Sequence, residues 1–336
     1  MKRIAYLDNA KYVAIVLMIL GHCYWKFHVP YLNDAIYSFH MPLFFIVSGF
    51  FIKPLSFKDA VSKYFKAYLI PYFVTGMVTL LLLLCVDSFL ENRIVSWHIS
   101  DWFIRWTFAS GSFEGKELFA STPIVGPVWF LFALFWSCLI YSILKSKYDG
   151  FNLMVYVIMS FLMSLISIHY VRFPFSIQAG MSAVLFLWLG DVTRKYSITE
   201  KLGENSLTLI CMIIIWGICI LRGNVVVSNC VYGLGLISIF GAYAGSLIFL
   251  IFVLLLSNHA ILSWGNFGTK TLYVLCIHEV FQYSHFIYGN PFALLQFHPI
   301  LNLAIEFVVE LTVALVLTAV LCNLKQVLIK QRYGMY

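Results

Sequence analysis

Long apolar runs without charged side chains limit the folds that this chain can adopt. Of its residues 62% are hydrophobic and only 11% are charged, and the mean hydropathy is +0.89. A soluble domain carries about 25% charged residues. The runs are continuous and roughly 18–26 residues long, which is the length that a spanning helix needs. The composition therefore predicts an all-α fold, a polytopic helical membrane bundle that occupies residues 1–336 as one domain.

We expect about ten transmembrane helices. They are predicted at residues 10–27, 33–53, 64–86, 125–144, 151–169, 176–195, 204–222, 231–257, 269–288 and 299–324. The eighth is the least regular, because Gly233, Gly235, Gly241 and Gly245 leave room for a break in the helix. The longest connection, 87–124, carries Trp97 and further tryptophans, and it is either an interfacial helix or a lid that contacts substrate.

The distribution of basic residues predicts the orientation. Most of the 22 Lys and Arg residues fall in the loops on one side, and the positive-inside rule assigns that side to the cytoplasm. Both termini lie there, which predicts a multi-pass protein of the cytoplasmic (inner) membrane. The net charge of +7 is then explained by topology and contact with membrane lipid, and we expect no nucleic-acid partner.

A histidine lies deep in the first span. Residues three or four apart share one helix face, and here they are Asp8, Lys11, Ile15, Met18 and His22. His22 lies about 16 Å along the helix from Lys11. An ionisable side chain inside a membrane is costly, so a functional role is the default interpretation. The alternative is a packed histidine that bonds a backbone carbonyl.

A second histidine lies in the second span. Its helix face carries Asn33, Tyr37, His40, Phe44 and Ser48. Pro42 removes a backbone donor, which predicts a kink. In an antiparallel pair of helices, His40 and His22 fall in the same half of the membrane and could approach one another. Alternatively, His40 satisfies the carbonyls that Pro42 frees.

The last two spans carry further ionisable residues. His278 shares a face with Thr271 and His285, and it either lines a tunnel or makes a structural hydrogen bond. Glu306 and Glu310 lie one turn apart and form either a proton relay or a hydrogen-bonded pair. The eight cysteines include no CxxC pair, and no HxxxH spacing occurs in the spans. We therefore expect no metal.

Several motifs resemble one known family. They are Asp8-Asn-Ala-Lys11, Gly21-His22, the segment 39–49, Ile70-Pro-Tyr-Phe73, Val128-Trp-Phe-Leu131, Phe186-Leu-Trp-Leu-Gly190 and the segment 268–278. Together they resemble the acyltransferase-3 family of membrane acyltransferases over almost the whole chain. The resemblance implies transfer of an acyl group, usually acetyl from acetyl-CoA, to a sugar hydroxyl of an extracytoplasmic polysaccharide or its lipid-linked precursor.

The resemblance also implies roles for single residues. His22 matches the essential histidine of the family and is the expected general base, with His40 as a second catalytic residue. Lys11 stands where many members have Arg, and Lys63 and Lys66 match a cationic pair expected to bind CoA. The alternative for the lysines is a solvated topology cluster. The remaining expected substrate or tunnel residues are Asp8, Ser48, His278 and Glu306. A separate extracytoplasmic acyl-relay protein is a further partner to consider.

Two other classes of function stay open on the sequence. The chain could be a proton-coupled transporter or flippase of a lipid-linked glycan, in which His22, His278, Glu306 and Glu310 carry protons. Many transporters have matching broken helices in their two halves. No such pair is evident in this sequence, which weakens this alternative. The chain could also be an accessory subunit of a polysaccharide export machine, in which case its histidines would be replaceable.

Overall fold

The all-α prediction is confirmed by a computed structural model, in which 85% of the chain is helical. The structure describes residues 5–23, 31–89, 95–111, 123–203, 205–223, 225–258, 267–289, 291–295 and 297–332. The helices are α1 (Ala5–Cys23), α2 (Leu32–Gly49), α3 (Phe57–Tyr64), α4 (Ile70–Phe89), α5 (Val95–Phe108), α6 (Trp129–Lys147), α7 (Gly150–Tyr170), α8 (Ile177–Lys195), α9 (Ile198–Gly203), α10 (Ser206–Arg222), α11 (Leu236–Asn258), α12 (Thr271–Tyr288) and α13 (Pro299–Arg332).

Short elements join several of these helices. A π-helical turn, Phe65–Leu69, connects α3 to α4 without a break, and it ends two residues before Pro71, which has no backbone N–H to donate. Between α10 and α11 the chain forms an antiparallel hairpin of β1 (Val225–Val226) and β2 (Val231–Tyr232). Turns of 3₁₀-helix occur at Val227–Asn229, Phe267–Thr269 and Pro291–Leu294.

Five of the described helical stretches are long and apolar enough to cross a membrane. They are Phe57–Ser88, Trp129–Lys147, Gly150–Tyr170, Leu236–Ser257 and Pro299–Val327, and Ser206–Arg222 is a shorter apolar helix. These helices support a membrane protein. A helix also lies at each of the ten expected positions, but the count of ten spans and the cytoplasmic termini stay predictions.

Some predicted helix ends are wrong. The first helix begins at Ala5 and not at residue 10, and the predicted end at residue 27 lies outside the described residues. In the eighth predicted span, residues 231–235 form β2 and a turn, and the helix begins only at Leu236. The turn residue Gly235 has a φ of +57°, a conformation that glycine adopts at little cost and that ends a regular element.

Two glycines inside α11 allow close packing and do not break it. A Cβ on Gly241 would lie 2.0 Å from Sγ of Cys219, and one on Gly245 would lie 2.6 Å from Nε1 of Trp216. Both partners belong to α10. Small residues at such positions let two helices approach closely, which is the main source of helix association in lipid.

The centre of the bundle is α8, which packs against α2, α6 and α7. The α2–α8 crossing is a backbone contact. A Cβ on Gly49 would lie 2.1 Å from the Leu187 carbonyl oxygen, and a Cβ on Gly190 would lie 2.0 Å from the Ile46 carbonyl oxygen. Each glycine therefore packs against the backbone of the other helix. This contact fixes the part of α2 that carries the site residues.

The long connection 87–124 contains α5, which packs on α4. Trp102 Nε1 donates to the Gly76 carbonyl at 3.2 Å, and the Tyr72 hydroxyl donates to the Trp106 carbonyl at 2.7 Å. The Trp97 side chain lies outside the described residues. These bonds fix α5 as a helix against the bundle, while the choice between an interfacial helix and a lid stays open.

A buried polar cluster also anchors α5. His98 Nδ1 lies 2.9 Å from an oxygen of Asp87 in α4, and the Tyr288 hydroxyl in α12 donates to the other Asp87 oxygen at 2.8 Å. Asp87 and His98 are both almost fully buried. Since a buried carboxylate needs partners to offset its lost hydration, this cluster ties α4, α5 and α12 together.

Candidate functional site

One cavity of about 340 Å³ lies between α1, α2, α3, α6 and α12, and its size is that of a small-molecule site. The α1 wall is formed by Lys11, Ile15, Met18 and His22. These are four of the five residues that the helical spacing placed on one face. The face thus lines a single space, with an ammonium group near one end of the helix and an imidazole near the other.

The opposite walls are mainly apolar. From α2 and α6 come Phe44, Ser48, Trp129 and Phe130, and α12 supplies Leu275 with its neighbours. Such a lining, in which a few polar groups interrupt an apolar wall, is typical of sites that bind organic ligands. The Ser48 hydroxyl donates to the Phe44 carbonyl at 2.8 Å. Its oxygen can therefore act as a hydrogen-bond acceptor for a ligand in the cavity.

Tyr64 and Tyr68 also line the cavity, and sequence reasoning missed both. Their rings stack, with centroids 6.2 Å apart and planes at 8°. Two sequence features could have revealed them. Tyr64 and Tyr68 are four residues apart, and Tyr64 lies four residues after Ala60 on the buried face of α3. They add two aromatic walls to the end of the cavity that carries the lysines.

The predicted cofactor lysines lie at one end of the bundle but differ in their access to the cavity. Lys11 is half-buried and its Nζ lies 2.7 Å from Oδ1 of Asp8. Lys63 is exposed and lines the cavity, whereas Lys66 is exposed and is not among the described lining residues. Asp8 is buried behind Lys11. The lysine end of the cavity is therefore positive and open to solvent.

The two predicted catalytic histidines lie near one another with a tyrosine ring between them. His22 and Tyr37 have ring centroids 6.3 Å apart, and Tyr37 and His40 have centroids 4.7 Å apart. His22 is half-buried and lines the cavity, while His40 is fully buried and is not among the described lining residues.

His40 has a defined backbone partner. Its Nδ1 lies 2.8 Å from the Ile36 carbonyl oxygen, so the neutral ring carries its proton on Nδ1. The α2 helix is continuous through Pro42. The carbonyl that Pro42 leaves without its usual donor belongs to Ser38, four residues earlier. His40 bonds the Ile36 carbonyl and not this one.

Three ionisable side chains meet behind His22. His278 lies with its ring centroid 5.4 Å from that of His22. Its Nδ1 is 3.1 Å from Oε2 of Glu310, and Nδ1 of His285 is 3.4 Å from Oε1 of the same carboxylate. His278 and Glu310 are fully buried. The contact brings α12 and α13 together next to His22.

Glu306, which the sequence placed on the tunnel, is buried one turn from Glu310. Cys23, Glu306 and Glu310 bring a sulfur and two carboxylate oxygens within 4.8 Å of one another. Groups of this kind can bind zinc. The expectation of a site without a metal stays a prediction.

The segment before α6 is held by ionisable side chains on two sides. Oε2 of Glu279 accepts from the Val128 amide at 3.1 Å, and Nη1 of Arg105 donates to the Ile124 carbonyl at 2.6 Å. Between them Gly126 has a φ of +100°, and a Cβ there would lie 2.4 Å from a Glu279 oxygen. Because the neighbouring Pro127 lines the cavity, this clamp positions one of its walls. Sequence reasoning missed Arg105 and Gly126, because no local pattern reveals their partners.

The fold and the cavity define a helical membrane protein with an apolar binding site that joins a cationic entrance to a histidine. A family model described as an acyltransferase domain matches residues 4–324. The chain belongs to the acyltransferase-3 family, as its motifs predicted, and it is a membrane acyltransferase by that membership. No curated protein and no solved structure matches the chain in the corresponding comparisons.

Proposed function

We propose that the chain is an O-acyltransferase that moves acetyl from acetyl-CoA to a sugar hydroxyl of an extracytoplasmic polysaccharide or its lipid-linked precursor, with His22 as general base. The observation that carries the proposal is that Lys11, Lys63 and His22 line the same cavity. It offers cations at the predicted cytoplasmic end and a base about 16 Å further along α1.

The lysines and the apolar walls of this cavity suit different parts of acetyl-CoA. Its phosphates carry negative charge that Lys11, Lys63 and Lys66 can neutralise as point charges. Lys66 is assigned here on its position in the sequence, since Lys63 alone of the neighbouring pair lines the cavity. The apolar walls suit the pantetheine arm, which would bring the thioester towards His22.

Acyl transfer from a thioester to an alcohol needs a base, a charge stabiliser and aligned substrates. His22 takes the hydroxyl proton while the hydroxyl oxygen attacks the thioester carbonyl. The C–S bond then breaks, and His22 returns the proton to the departing CoA sulfur. Since Nδ1 of His40 is bonded to the Ile36 carbonyl, His40 is suited to orient its neighbours and not to donate to the oxyanion.

Two routes lead to the same product. The acyl group either passes directly from CoA to the sugar or rests first on His22 as an acyl-imidazole. The acceptor enters from the predicted outer side, and it is either the glycan itself, its lipid-linked precursor or a separate relay protein. Rapid quenching and mass spectrometry of the His22 peptide after mixing with acetyl-CoA distinguish the two routes.

The buried contact of His278 and His285 with Glu310 favours one competing function. Ionisable groups in contact inside a membrane are typical of proton-coupled transport. A transporter or flippase would move a lipid-linked glycan without consuming acetyl-CoA, so the two functions differ in their chemistry.

The experiment measures release of free CoA thiol from acetyl-CoA by purified protein in proteoliposomes, with and without an extract of the native glycan. We expect thiol release that depends on the acceptor, and radiolabelled acetyl that moves into the glycan. Well-folded protein that leaves acetyl-CoA intact in the presence of the native glycan would exclude acetyl-CoA as the donor and favour the transporter.

A further inference from the structure

Next to His22, the ring of His278 contacts two ionisable groups. One is the His22 ring, at a centroid distance of 5.4 Å and an interplanar angle of 50°. The other is Glu310, whose Oε2 lies 3.1 Å from Nδ1 of His278. Beyond these contacts, neither ring nitrogen of His278 has a hydrogen-bond partner among the described residues. The ring is thus held between an imidazole that lines the cavity and a buried carboxylate.

Because Glu310 is buried, its negative charge acts strongly on the ring of His278. Glu310 is 1% exposed and His278 is 0% exposed, so water does not screen the charge between them, and electrostatic interactions are stronger than at a surface. A buried carboxylate needs hydrogen-bond donors to offset its lost hydration. Here an imidazole nitrogen faces each of its two oxygens, from His278 and from His285.

We propose that His278 and Glu310 are positioning residues that orient and polarise His22. The inference rests on the proposed function, in which His22 is the base. Glu310 holds the Nδ1 proton of His278, and Nε2 of His278 then presents a lone pair to the His22 ring. His22 is left with its other nitrogen free to accept a proton from the acceptor hydroxyl.

The proton balance of this arrangement is closed. The hydroxyl proton passes to His22, and the positive charge that forms there is stabilised through His278 by the negative charge of Glu310. When the C–S bond of the thioester breaks, His22 returns the same proton to the sulfur. The pair loses and gains no proton over the cycle, so it needs no exit path and no further reactant.

Other groups also face this carboxylate. Cys23 and Glu306 lie within the same cluster, and His285 contacts the second oxygen. None of the three is among the described lining residues of the cavity. They therefore fix the orientation of the carboxylate, while the path from the carboxylate to the cavity passes through His278.

The test uses Glu310→Gln and His278→Asn, with Thr318→Val as the matched control. Thr318 is fully buried on the same helix, about 12 Å from Glu310 along the axis. In Glu310→Gln and His278→Asn we expect kcat to fall at least about tenfold, while the KM for acetyl-CoA changes less than about twofold because the lysines are intact. Thr318→Val should keep both. Equal kcat values in Glu310→Gln and Thr318→Val would overturn the proposal.

A second readout needs no acyltransferase activity. Diethyl pyrocarbonate modifies neutral imidazole, and peptide mass spectrometry gives the rate for His22 alone. At an alkaline pH, where His22 is neutral, the rate should fall several-fold in Glu310→Gln and recover in Glu310→Asp, because a charged acceptor makes the imidazole more nucleophilic. An unchanged His22 rate in folded Glu310→Gln sinks the proposal. If wild-type protein transfers no acetyl group, only the proposed function fails, because the modification rate of His22 still tests the contact.

Discussion

His22 and His278 lie with their ring centroids 5.4 Å apart, although they come from helices near opposite ends of the chain. The contact joins the α1 wall of the cavity to the buried carboxylate on α13. It also gives a reason for a cluster of ionisable side chains in an apolar bundle, since the contacts from His278 to Glu310 and from Glu310 to His285 continue it away from the cavity.

The lysine pair at the cavity entrance gives a first prediction. Lys63 lines the cavity, whereas Lys58 on the same helix is exposed and is not among the described lining residues. Lys63→Ala should raise the KM for acetyl-CoA about three- to tenfold, because an exposed charge contact contributes about 1 kcal/mol. Lys58→Ala is the matched control and should change it less than about twofold. Steady-state kinetics over a range of acetyl-CoA concentrations measure both, and equal effects would place the CoA phosphates elsewhere.

The segment before α6 gives a second prediction. Gly126→Ala introduces a Cβ 2.4 Å from a Glu279 oxygen at a φ of +100°, so the melting temperature should fall and kcat with it as the cavity wall moves. Gly150 is the control, because it also has a positive φ but nothing lies within 4 Å of its Cβ position. Gly150→Ala should lose only about 1–2 kcal/mol of stability and keep its kcat. Similar kinetics for the two variants would contradict the clamp.

The crossing of α2 and α8 gives a third prediction. Gly190→Ala places a Cβ 2.0 Å from the Ile46 carbonyl oxygen, and forcing the helices apart should cost about 1–3 kcal/mol or more. Gly217→Ala in α10 meets nothing within 4 Å and should change stability by less than about 1 kcal/mol. Thermal unfolding of both variants in detergent, followed by tryptophan fluorescence, compares them. A Gly190 variant as stable as the Gly217 variant would disprove the close crossing.

The orientation of the bundle gives a fourth prediction. Tyr170, at the end of α7, is 82% exposed, and Tyr196, after α8, is 54% exposed. If both termini are cytoplasmic, a membrane-impermeant maleimide should label Tyr170→Cys in intact cells and label Tyr196→Cys only after lysis. Wild-type protein controls for its native cysteines. Labelling of Tyr196→Cys in intact cells would reverse the topology.

The positions of the helices could be predicted from the sequence because lipid leaves the backbone few alternatives. A long apolar run must satisfy its own hydrogen bonds, and the helix does so locally. The face of α1 that lines the cavity was also predictable. Once the segment is a helix, the spacing of Lys11 and His22 alone places them on one face. The hairpin at Val225–Tyr232 was missed, because its apolar residues continue the pattern of the helices around it.

The inner part of the site could not be predicted in the same way. The partner of His278 depends on how α12 and α13 pack, and Glu306 and Glu310 share one face of α13, so spacing cannot choose between them. The structure brings Glu310 to His278. The roles of Tyr64 and Gly126 likewise depend on which helix lies opposite, and local sequence does not contain that information.

The most direct test of the account is acetyl transfer from labelled acetyl-CoA to the native glycan by purified wild-type, His22→Asn and His169→Asn protein in lipid. His169 is exposed at the end of α7, so its variant controls for the loss of a histidine. The account predicts full transfer by wild type and His169→Asn, and a loss of about 100-fold or more in His22→Asn. Transfer at the wild-type rate by folded His22→Asn protein would contradict it.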